Sequence, residues 1–372
     1  MATIYDVAKH AGVSVATVSA VVNESSFVSP GLRRRVEAAI ESLHYTPNLL
    51  ARSLALKRTN TLGMLIPDIA NPFYSGILRG AEDRAQKSGY AVIVGNSDNR
   101  VEKEHAYLNL FLSKRVDGIL LIKAPGEMSE STRVKLRNAA TPIVLLDRDY
   151  APLETHAVLA DDFGGAKEAV QHLIRHQHRR IGIIIGPPHV STTQGRLAGY
   201  KQALLESDIP FDLGLVAEGD YDIQQGFEAG LLLLQQKPTA VFVTNWTMTV
   251  GFLQAIEKRG FRCPADLALV SYDDFIWTGL FQPKLTSVAQ PAYQLGYRGT
   301  EILLGCSKGK YKRRKVEILK NELVIRESCG GGCTSTADRP PGRSYTPGCP
   351  PTSRVGGTRA GSTRSRRSKK ST

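Results

Sequence analysis

Charged and amide side chains follow several apolar segments of this sequence, where they could bind a polar ligand. Arg148 comes directly after PIVLLD, Asn245 ends AVFVTN, and Asp273 follows LALVSY; Arg196 lies beyond RIGIIIG. Carboxylates accept hydrogen bonds from hydroxyl groups, amides both donate and accept them, and an arginine can hold a carboxylate or two adjacent oxygens. These residue types suit a small sugar or sugar acid. The alternative for each is a satisfied polar group in a loop.

Aromatic residues accompany these polar groups. Phe73 and Tyr74 follow the segment LGMLIP, whereas Trp246 and Trp277 lie beside or near two of the polar residues. A flat ring can pack against the C–H surface of a sugar, although either tryptophan could instead belong to a core. A purine is the second candidate ligand, since it would use stacking and fewer charged groups.

Motifs of common enzyme classes are missing from the sequence. It contains no GxGxxG, GxSxG or HExxH pattern, and the segment at 305–310 is one residue short of a phosphate-binding loop. His172, His176 and His178 have a spacing seen in metal sites, but no acidic or cysteine ligands accompany them in the sequence. Cys329 and Cys333 lack a second pair of cysteines. We therefore expect no metal, no cofactor and no enzymatic activity.

The segments that position these residues alternate between apolar runs and amphipathic helices from residue 61 onward. Such runs indicate parallel strands buried on both faces, which is the doubly wound α/β class. Two series of these units predict two lobes, at about 61–160 and 161–290, with a last helix and strands at 292–326 that complete both. Ligands of this class bind beyond the carboxyl ends of the strands, where the polar residues lie.

Residues 3 to 23 predict two short helices joined by a tight turn, which is a helix-turn-helix. Apolar residues recur at helical spacing from Ile4 to Ala11, Gly12 breaks the first helix, and Ser14 can cap the second. The inward side of the second helix would consist of Val15, Val18 and Val22. Short polar groups would face outward and could reach bases or phosphates, namely Thr17, Ser19 and Asn23. A two-helix packing unit without DNA is the alternative.

A third helix is predicted after Ser29 and Pro30, and its apolar face would close a three-helix core. The arginines at 33–35 oppose the helix dipole in its first turn, so either nearby phosphates or a solvated charge run explains them. Beyond Pro47, Asn48 can cap a short helix that reaches about residue 56. That helix carries too many leucines for a short helix surrounded by water, so another surface must cover them.

The net charge of +13 is unevenly distributed along the 372 residues. Residues 1–60 carry +3, residues 61–327 carry +2, and residues 328–372 carry +8. The middle of the chain is therefore not a phosphate-binding surface. The last segment is rich in Gly, Pro, Ser and Thr and cannot build a core, so we expect a disordered basic tail. It resembles either GC-rich sequence translated in a wrong frame or a basic DNA-binding tail.

No apolar run approaches the ~20 residues that a membrane span requires, and the N-terminus lacks the apolar region of a signal peptide. Five cysteines, an odd number, argue against a disulfide framework. We expect a cytoplasmic protein without membrane contact.

Several short motifs together resemble one family of bacterial transcription regulators. They are DVA from Asp6, AGVS from Ala11, TVS from Thr17, YTPN from Tyr45 and ARSL from Ala51. Their order is that of the lactose/galactose repressor (LacI/GalR) family, which the sequence resembles from residue 3 to about 327. The resemblance implies a helix-turn-helix domain at 1–46, a hinge helix and linker at 47–60, and a two-lobed domain at 61–327 similar to periplasmic sugar-binding proteins. The tail is then 328–372.

The resemblance also implies functional residues and partners. The partners would be a pseudo-palindromic double-stranded DNA operator, a small-molecule effector and a second copy of the chain. Leu54 matches a hinge leucine that wedges into the minor groove. The DNA-binding residues that we expect are Thr3, Tyr5, Ser14, Ala16, Thr17, Ser19, Asn23, Asn48, Ala51 and Leu54. The effector-binding residues that we expect are Phe73, Tyr74, Arg148, Arg196, Asn245, Trp246, Asp273 and Trp277.

Two positions depart from the family pattern. Ala20 replaces an arginine that would read guanine, so the operator should differ from the common half-site. Trp246 stands where an aspartate is usual. The helix at 101–114 is implied as part of the dimer surface, although its stripe Tyr107, Leu108, Phe111 and Leu112 could equally be its core face. We expect a ligand-responsive repressor; the rivals are a sugar-binding sensor that has lost DNA binding, a purine-responsive repressor and an α/β enzyme.

Overall fold

The N-terminal helices of the computed structural model follow the predicted pattern. They are α1 (Ile4–Ala11), α2 (Val15–Asn23) and α3 (Pro30–Ser42). Thr3 and Asp6 cap each other's backbone N–H groups at the start of α1. Gly12 ends α1 with a φ of 60°, a left-handed conformation that glycine adopts without steric cost. The Ser14 hydroxyl accepts a hydrogen bond from the Thr17 N–H at 3.1 Å and so caps α2.

The structure describes residues 2–23, 26–46, 58–307, 309–311 and 313–330. The predicted DNA contacts at Asn48, Ala51 and Leu54 lie outside these ranges. So does the chain beyond residue 330.

A small apolar core joins the three N-terminal helices. Val7, Val18 and Val36 are fully buried in it, one from each helix. The inward face of α2 is wider than the sequence pattern indicated, because Val21 is buried as well, while Val15 and Val22 pack at its edge.

The first lobe contains a six-stranded parallel sheet in the order β11-β5-β4-β3-β1-β2. Its strands are β1 (Thr61–Ile66), β2 (Ala91–Asn96), β3 (Gly118–Leu121), β4 (Ile143–Leu146), β5 (His156–Ala160) and β11 (Val316–Leu319). The helices between these strands in the chain are α4 (Pro72–Gln86), α5 (Val101–Ser113) and α6 (Glu130–Asn138). The central strands β3 and β4 are buried throughout, as their continuous apolar sequence predicts.

The second lobe repeats this arrangement with the order β12-β10-β9-β8-β6-β7, in which only β12 is antiparallel. Its strands are β6 (Ile181–Ile185), β7 (Val216–Glu218), β8 (Ala240–Val243), β9 (Ala268–Tyr272), β10 (Thr286–Ala289) and β12 (Glu322–Val324). The helices are α7 (Asp162–Arg175), α8 (Ser191–Leu205), α9 (Ile223–Gln235) and α10 (Trp246–Arg259).

The last helix of the described residues, α11 (Ala292–Cys306), belongs to the first lobe although it follows the second in the chain. It packs against α4, and a Cβ at Gly296 would lie only 1.8 Å from the carbonyl oxygen of Ile77. The chain then adds β11 to the first sheet and β12 to the second. The predicted α/β class and the crossing between lobes are thus confirmed.

The stripe on α5 is a core face. Leu108 and Phe111 are buried in the first lobe, and Tyr107 and Leu112 pack against the same cluster. The stripe is therefore the core face of this helix, and a contribution of the helix to the dimer surface stays a prediction.

The compact fold extends beyond the boundary that we expected at residue 327. Ser328 and Cys329 are fully buried, and the Ser328 hydroxyl donates to the carbonyl oxygen of Leu269 at 2.7 Å while accepting from the N–H of Thr286 at 2.8 Å. Residues 328–330 therefore belong to the second lobe and not to a tail. The polar composition of these residues did not predict their burial, because the buried Ser328 forms its hydrogen bonds with backbone groups of distant strands. No helix within the described ranges is long and apolar enough to cross a bilayer.

Candidate functional site

A cleft lies where the carboxyl ends of the two sheets meet. The space between its side chains, including the opening to solvent, is about 430 Å³. The first lobe contributes Asp68, Asn71, Phe73, Tyr74, Asn99, Asp147 and Arg148. The second lobe contributes Thr192, Arg196, Tyr221, Asn245, Thr247 and Asp273, and Gln290 precedes the final helix. Six of the eight predicted effector residues are therefore brought together, from segments far apart in the chain.

Arg196 is held rigidly on the second-lobe side of the cleft. Its Nε donates to Asp162 Oδ1 at 2.7 Å, and Nη1 donates to the carbonyl oxygen of Thr244 at 2.6 Å. The guanidinium carbon lies 3.8 Å from the centre of the Tyr272 ring, which is a cation–π contact. Two of the five N–H groups are thus engaged, which leaves the others for a ligand. Because Asp162 already balances its charge, Arg196 provides a ligand with positioned hydrogen-bond donors more than with a net positive charge.

Asp273 presents a fixed carboxylate to the same cleft. Its backbone has a φ of 72°, and the carboxylate accepts from Gln290 Nε2 at 2.6 Å and from the Trp246 N–H at 3.2 Å. Burial raises the pKa of Asp273, and the positive charge of Arg196 opposes that rise. Each oxygen retains acceptor capacity for a ligand hydroxyl.

Asp147 and Arg148 face the cleft from the end of β4. Arg148 donates from Nη2 to the Tyr74 hydroxyl at 3.0 Å and from Nη1 to the Lys123 carbonyl at 2.8 Å. Within the described residues, Asp147 Oδ1 and Arg148 Nε have no hydrogen-bond partner although both are buried. Burial raises the pKa of Asp147 to about 7, despite the neighbouring Arg148. A buried acceptor and a buried donor without partners are what a polar ligand would satisfy.

Asn245 caps α10, because its Oδ1 accepts from the Met248 N–H at 3.1 Å. That bond fixes the side chain and leaves the amide Nδ2 for a ligand. Across the cleft, Asn71 caps α4 by accepting from the Phe73 N–H at 3.0 Å, which places Phe73 and Tyr74 in its first turn. Their ring centres are 5.3 Å apart.

Trp246 and Trp277 do not line the cleft. They form an aromatic cluster with Phe275, in which ring centres lie 5.2 to 5.6 Å apart. Phe275 in turn packs against the core of the first lobe, so the cluster joins the two lobes. The backbone of Trp246, and not its ring, takes part in the site by its bond to Asp273.

Sequence reasoning missed Asp147 and Tyr221. Asp147 ends the apolar run that carries Arg148, and its position beside that residue was a usable signal. Tyr221 follows β7, which has only three residues and leaves no readable pattern. Its hydroxyl lies 2.9 Å from Thr192 Oγ1 and 2.7 Å from Thr193 Oγ1, and its ring lies 5.4 Å from the Arg148 guanidinium of the other lobe.

The second predicted site is the outer side of the helix-turn-helix. Thr3, Tyr5, Ser14 and Ala16 are exposed, while Thr17, Ser19 and Asn23 are half-buried. Asn23 Nδ2 donates to the Ser19 carbonyl oxygen at 2.9 Å, which orders the end of α2. Ala20 is only 8% exposed, so its methyl group offers little surface to a base.

Arg35 has a structural role that the sequence did not reveal. Its Nη2 donates to the carbonyl oxygens of Ala11 and Gly12, at 2.6 and 3.2 Å. These carbonyls at the end of α1 would otherwise lack partners, so Arg35 ties α3 to the turn. Nearby phosphates are not needed to explain this arginine.

A helix-turn-helix unit and a two-lobed α/β part with a polar cleft define a ligand-responsive DNA-binding regulator. Comparison with known proteins agrees. The model of the bacterial regulatory proteins of the lacI family matches residues 3–48, and that of the periplasmic binding protein-like domain matches residues 170–329. Catabolite control protein A of Priestia megaterium is 40% identical over 329 residues, which is 88% of this chain and 98% of that protein.

Two solved structures are similar over the same extent. The Lac repressor dimer bound to operator and the anti-inducer ONPF has 30% identity and a TM-score of 0.78, covering 88% of this chain and 99% of that chain. A complex of the transcriptional regulator CelR with cellobiose has 32% identity and a TM-score of 0.67, covering 88% of this chain and 100% of that chain. The chain belongs to the LacI family of bacterial transcriptional regulators. It is a DNA-binding regulator with an effector-binding domain.

Proposed function

We propose that this protein is a cytoplasmic repressor that binds a pseudo-palindromic operator as a homodimer and responds to a small sugar bound in the cleft. It has no catalytic role. Contacts from both lobes support the response, because a ligand that binds both can favour one lobe arrangement over another. The arrangement that the ligand prefers sets whether it releases or tightens DNA binding.

The observation that carries the ligand class is the set of fixed polar groups around the cleft. Asp273 supplies hydrogen-bond acceptors, and Asn245 and Arg196 supply donors. Asp147 Oδ1 adds an acceptor and Arg148 Nε adds a donor, since neither atom has a hydrogen-bond partner among the described residues. Hydroxyl groups satisfy both kinds. A neutral sugar is favoured over a sugar acid, since Arg196 is already paired with Asp162.

A purine is less well supported. Stacking requires an accessible ring face, but the Arg148 guanidinium lies over Tyr221, and both tryptophans pack in their own cluster. Phe73 and Tyr74 remain as apolar surface, and they are tilted by 59° to each other. That geometry suits a small C–H face better than a flat double ring.

The effector experiment is a thermal-shift screen of neutral sugars, sugar acids and purines on wild type and Asp273→Asn. Asparagine tolerates positive φ, so the substitution removes the charge while keeping the backbone. Asp266→Asn, an exposed aspartate paired with Arg262, is the matched control. We expect a neutral sugar to raise the melting temperature of wild type and control but not of Asp273→Asn. A purine hit, or a sugar that binds Asp273→Asn with full affinity, contradicts the proposal.

The DNA experiment measures binding of the purified protein to its own upstream region and to random DNA of equal length, with and without the ligand found above. We expect preferential binding to the upstream fragment as two chains per site, and a change in affinity when the ligand is added. Equal binding to both fragments would favour the sensor that has lost DNA binding. Turnover of the ligand, followed by product analysis, would favour an enzyme.

A further inference from the structure

Two histidines and a cysteine come together at the end of α7. His172 lies in the last turn of this helix, His176 follows one turn later, and Cys329 arrives from the segment after β12. One ligand atom of each side chain lies within 4.8 Å of the other two. A spacing of four residues places both imidazoles on one side of the helix. The histidine pattern visible in the sequence thus acquires a thiol from a distant part of the chain.

The imidazole of His172 has an unsatisfied nitrogen. The residue is 4% exposed, and its Nε2 has no hydrogen-bond partner among the described residues. Burying such a group without a partner destabilises the folded protein. The ring of His176 approaches it edge to face, with centres 4.6 Å apart. A bound cation would satisfy the nitrogen, whereas the neighbouring protein groups do not.

We propose that His172, His176 and Cys329 form a binding site for a divalent transition-metal ion, with Zn²⁺ as the best match. Imidazole nitrogen and thiolate sulfur are preferred zinc ligands, at about 2.0–2.1 Å and 2.3 Å. These bond lengths place ligand atoms about 3.5 Å apart in a tetrahedral site, so the widest gap must close by about 1 Å. His176 is exposed and can make this movement.

The surroundings of Cys329 fit such a site. The Cys263 thiol lies beside the same segment and donates to the Ser328 carbonyl oxygen at 3.5 Å. A Cβ at Gly330 would lie 4.0 Å from His178 Nε2. A water molecule would complete four-coordination at the exposed side of the site. Hard cations such as Mg²⁺ prefer oxygen ligands, which the three proposed ligands do not provide.

The proposed ion would connect the segment after β12 to α7. Ser328, next to Cys329, is already bonded to strands of the second sheet. The opposite end of α7 carries Asp162, which holds Arg196 in the effector cleft. An ion bound only by the folded protein stabilises it by mass action, so zinc should raise the thermal stability of the second lobe.

The test uses the full-length protein, treated with EDTA, reduced and dialysed, and then titrated with Co²⁺ and Zn²⁺. Cobalt reports thiolate coordination through a charge-transfer band in the near ultraviolet, and zinc affinity is measured by competition with a chromogenic chelator. The variants are His176→Ala, whose exposed site preserves the fold, and Cys329→Ser. The matched controls are His189→Ala, an exposed histidine, and Cys306→Ser, a half-buried free cysteine.

We expect one Co²⁺ per chain with the charge-transfer band in wild type and both controls. His176→Ala should bind Zn²⁺ at least about tenfold more weakly, since even loss of a group that only supports a metal ligand typically has that effect. Cys329→Ser should lose the band and the zinc-dependent rise in melting temperature. Absence of cobalt binding by wild type, persistence of the band in Cys329→Ser, or unchanged zinc affinity of His176→Ala would each overturn the proposal.

Discussion

Replacement of Asp162 by alanine tests whether the ion pair with Arg196 organises the effector cleft. The side chains of Arg196 and Asp162 are only 5% and 11% exposed, and their Nε–Oδ1 distance is 2.7 Å. Asp162→Ala would leave a buried guanidinium without its counter-ion. Breaking a buried pair from one side costs about 3–5 kcal/mol, because the remaining charge is desolvated and uncompensated. We expect a loss of that size in the free energy of unfolding.

The assay is urea denaturation followed by circular dichroism, combined with a double-mutant cycle. Arg196→Met removes the other charge while keeping the aliphatic volume, and the double variant removes both. We expect the double variant to be more stable than Asp162→Ala alone, since no unpaired charge is then buried. Asp266→Ala, which breaks the exposed pair with Arg262, should have no measurable effect. Equal losses in the single and double variants, or a loss in Asp162→Ala no larger than in the control, would refute this reasoning.

Two further predictions concern the cleft and the hinge. Asp147→Asn should make stability less dependent on pH. Burial raises the pKa of the Asp147 carboxyl to about 7, against an ordinary value of 3.8. The stability that this carboxyl contributes is therefore present at low pH and is lost as pH rises through 7. At about 1.4 kcal/mol per pKa unit, urea denaturation should show the variant gaining up to about 3 kcal/mol on wild type between about pH 4.5 and pH 8. Leu54→Ala should weaken operator binding at least about tenfold more than binding to random DNA in anisotropy titrations, since a wedge supports only the bent, specific complex.

The controls for these two predictions are matched in chemistry. Asp208→Asn replaces another aspartate of positive φ, in the exposed turn after α8, and should leave the pH dependence unchanged. A pH profile of Asp147→Asn parallel to that of wild type would show that the carboxyl is not held protonated. For the hinge, Leu205→Ala alters an exposed leucine outside the DNA-binding unit and should affect neither affinity. Equal losses on operator and random DNA by Leu54→Ala would rule out a wedge.

The sequence by itself determined the elements and their class. The helix-turn-helix follows from the spacing of Ile4, Val7 and Ala11 together with the break at Gly12, because helical periodicity and glycine's left-handed conformation are local properties. The parallel sheets follow from continuous apolar runs, since a strand buried on both faces cannot alternate. The cleft could also be anticipated at Arg148, Asn245 and Asp273, because the carboxyl ends of parallel strands share one edge.

The tertiary structure alone decided which of these side chains have partners. Arg196 looked available in the sequence, but Asp162 and the Thr244 carbonyl each accept from one of its N–H groups. Arg35 looked like a phosphate contact but caps α1. The rings of Trp246 and Trp277 pack against each other and not in the cleft. Each outcome depends on a contact between segments distant in the chain, and no local pattern records which of several polar or aromatic groups will meet.

The same reason explains the end of the second lobe. Their composition predicted that residues 328–330 belong to a polar tail. In the structure, buried backbone groups form hydrogen bonds with Ser328, and the side chain of Cys329 lies against the end of α7. The spacing of His172 and His176 in the sequence only weakly indicated a metal site, because the third ligand comes from a distant part of the chain and is brought there by folding. Periodicity in the sequence predicts which face of a helix or strand is buried. Only the packing of the folded chain determines which residue of another element contacts that face.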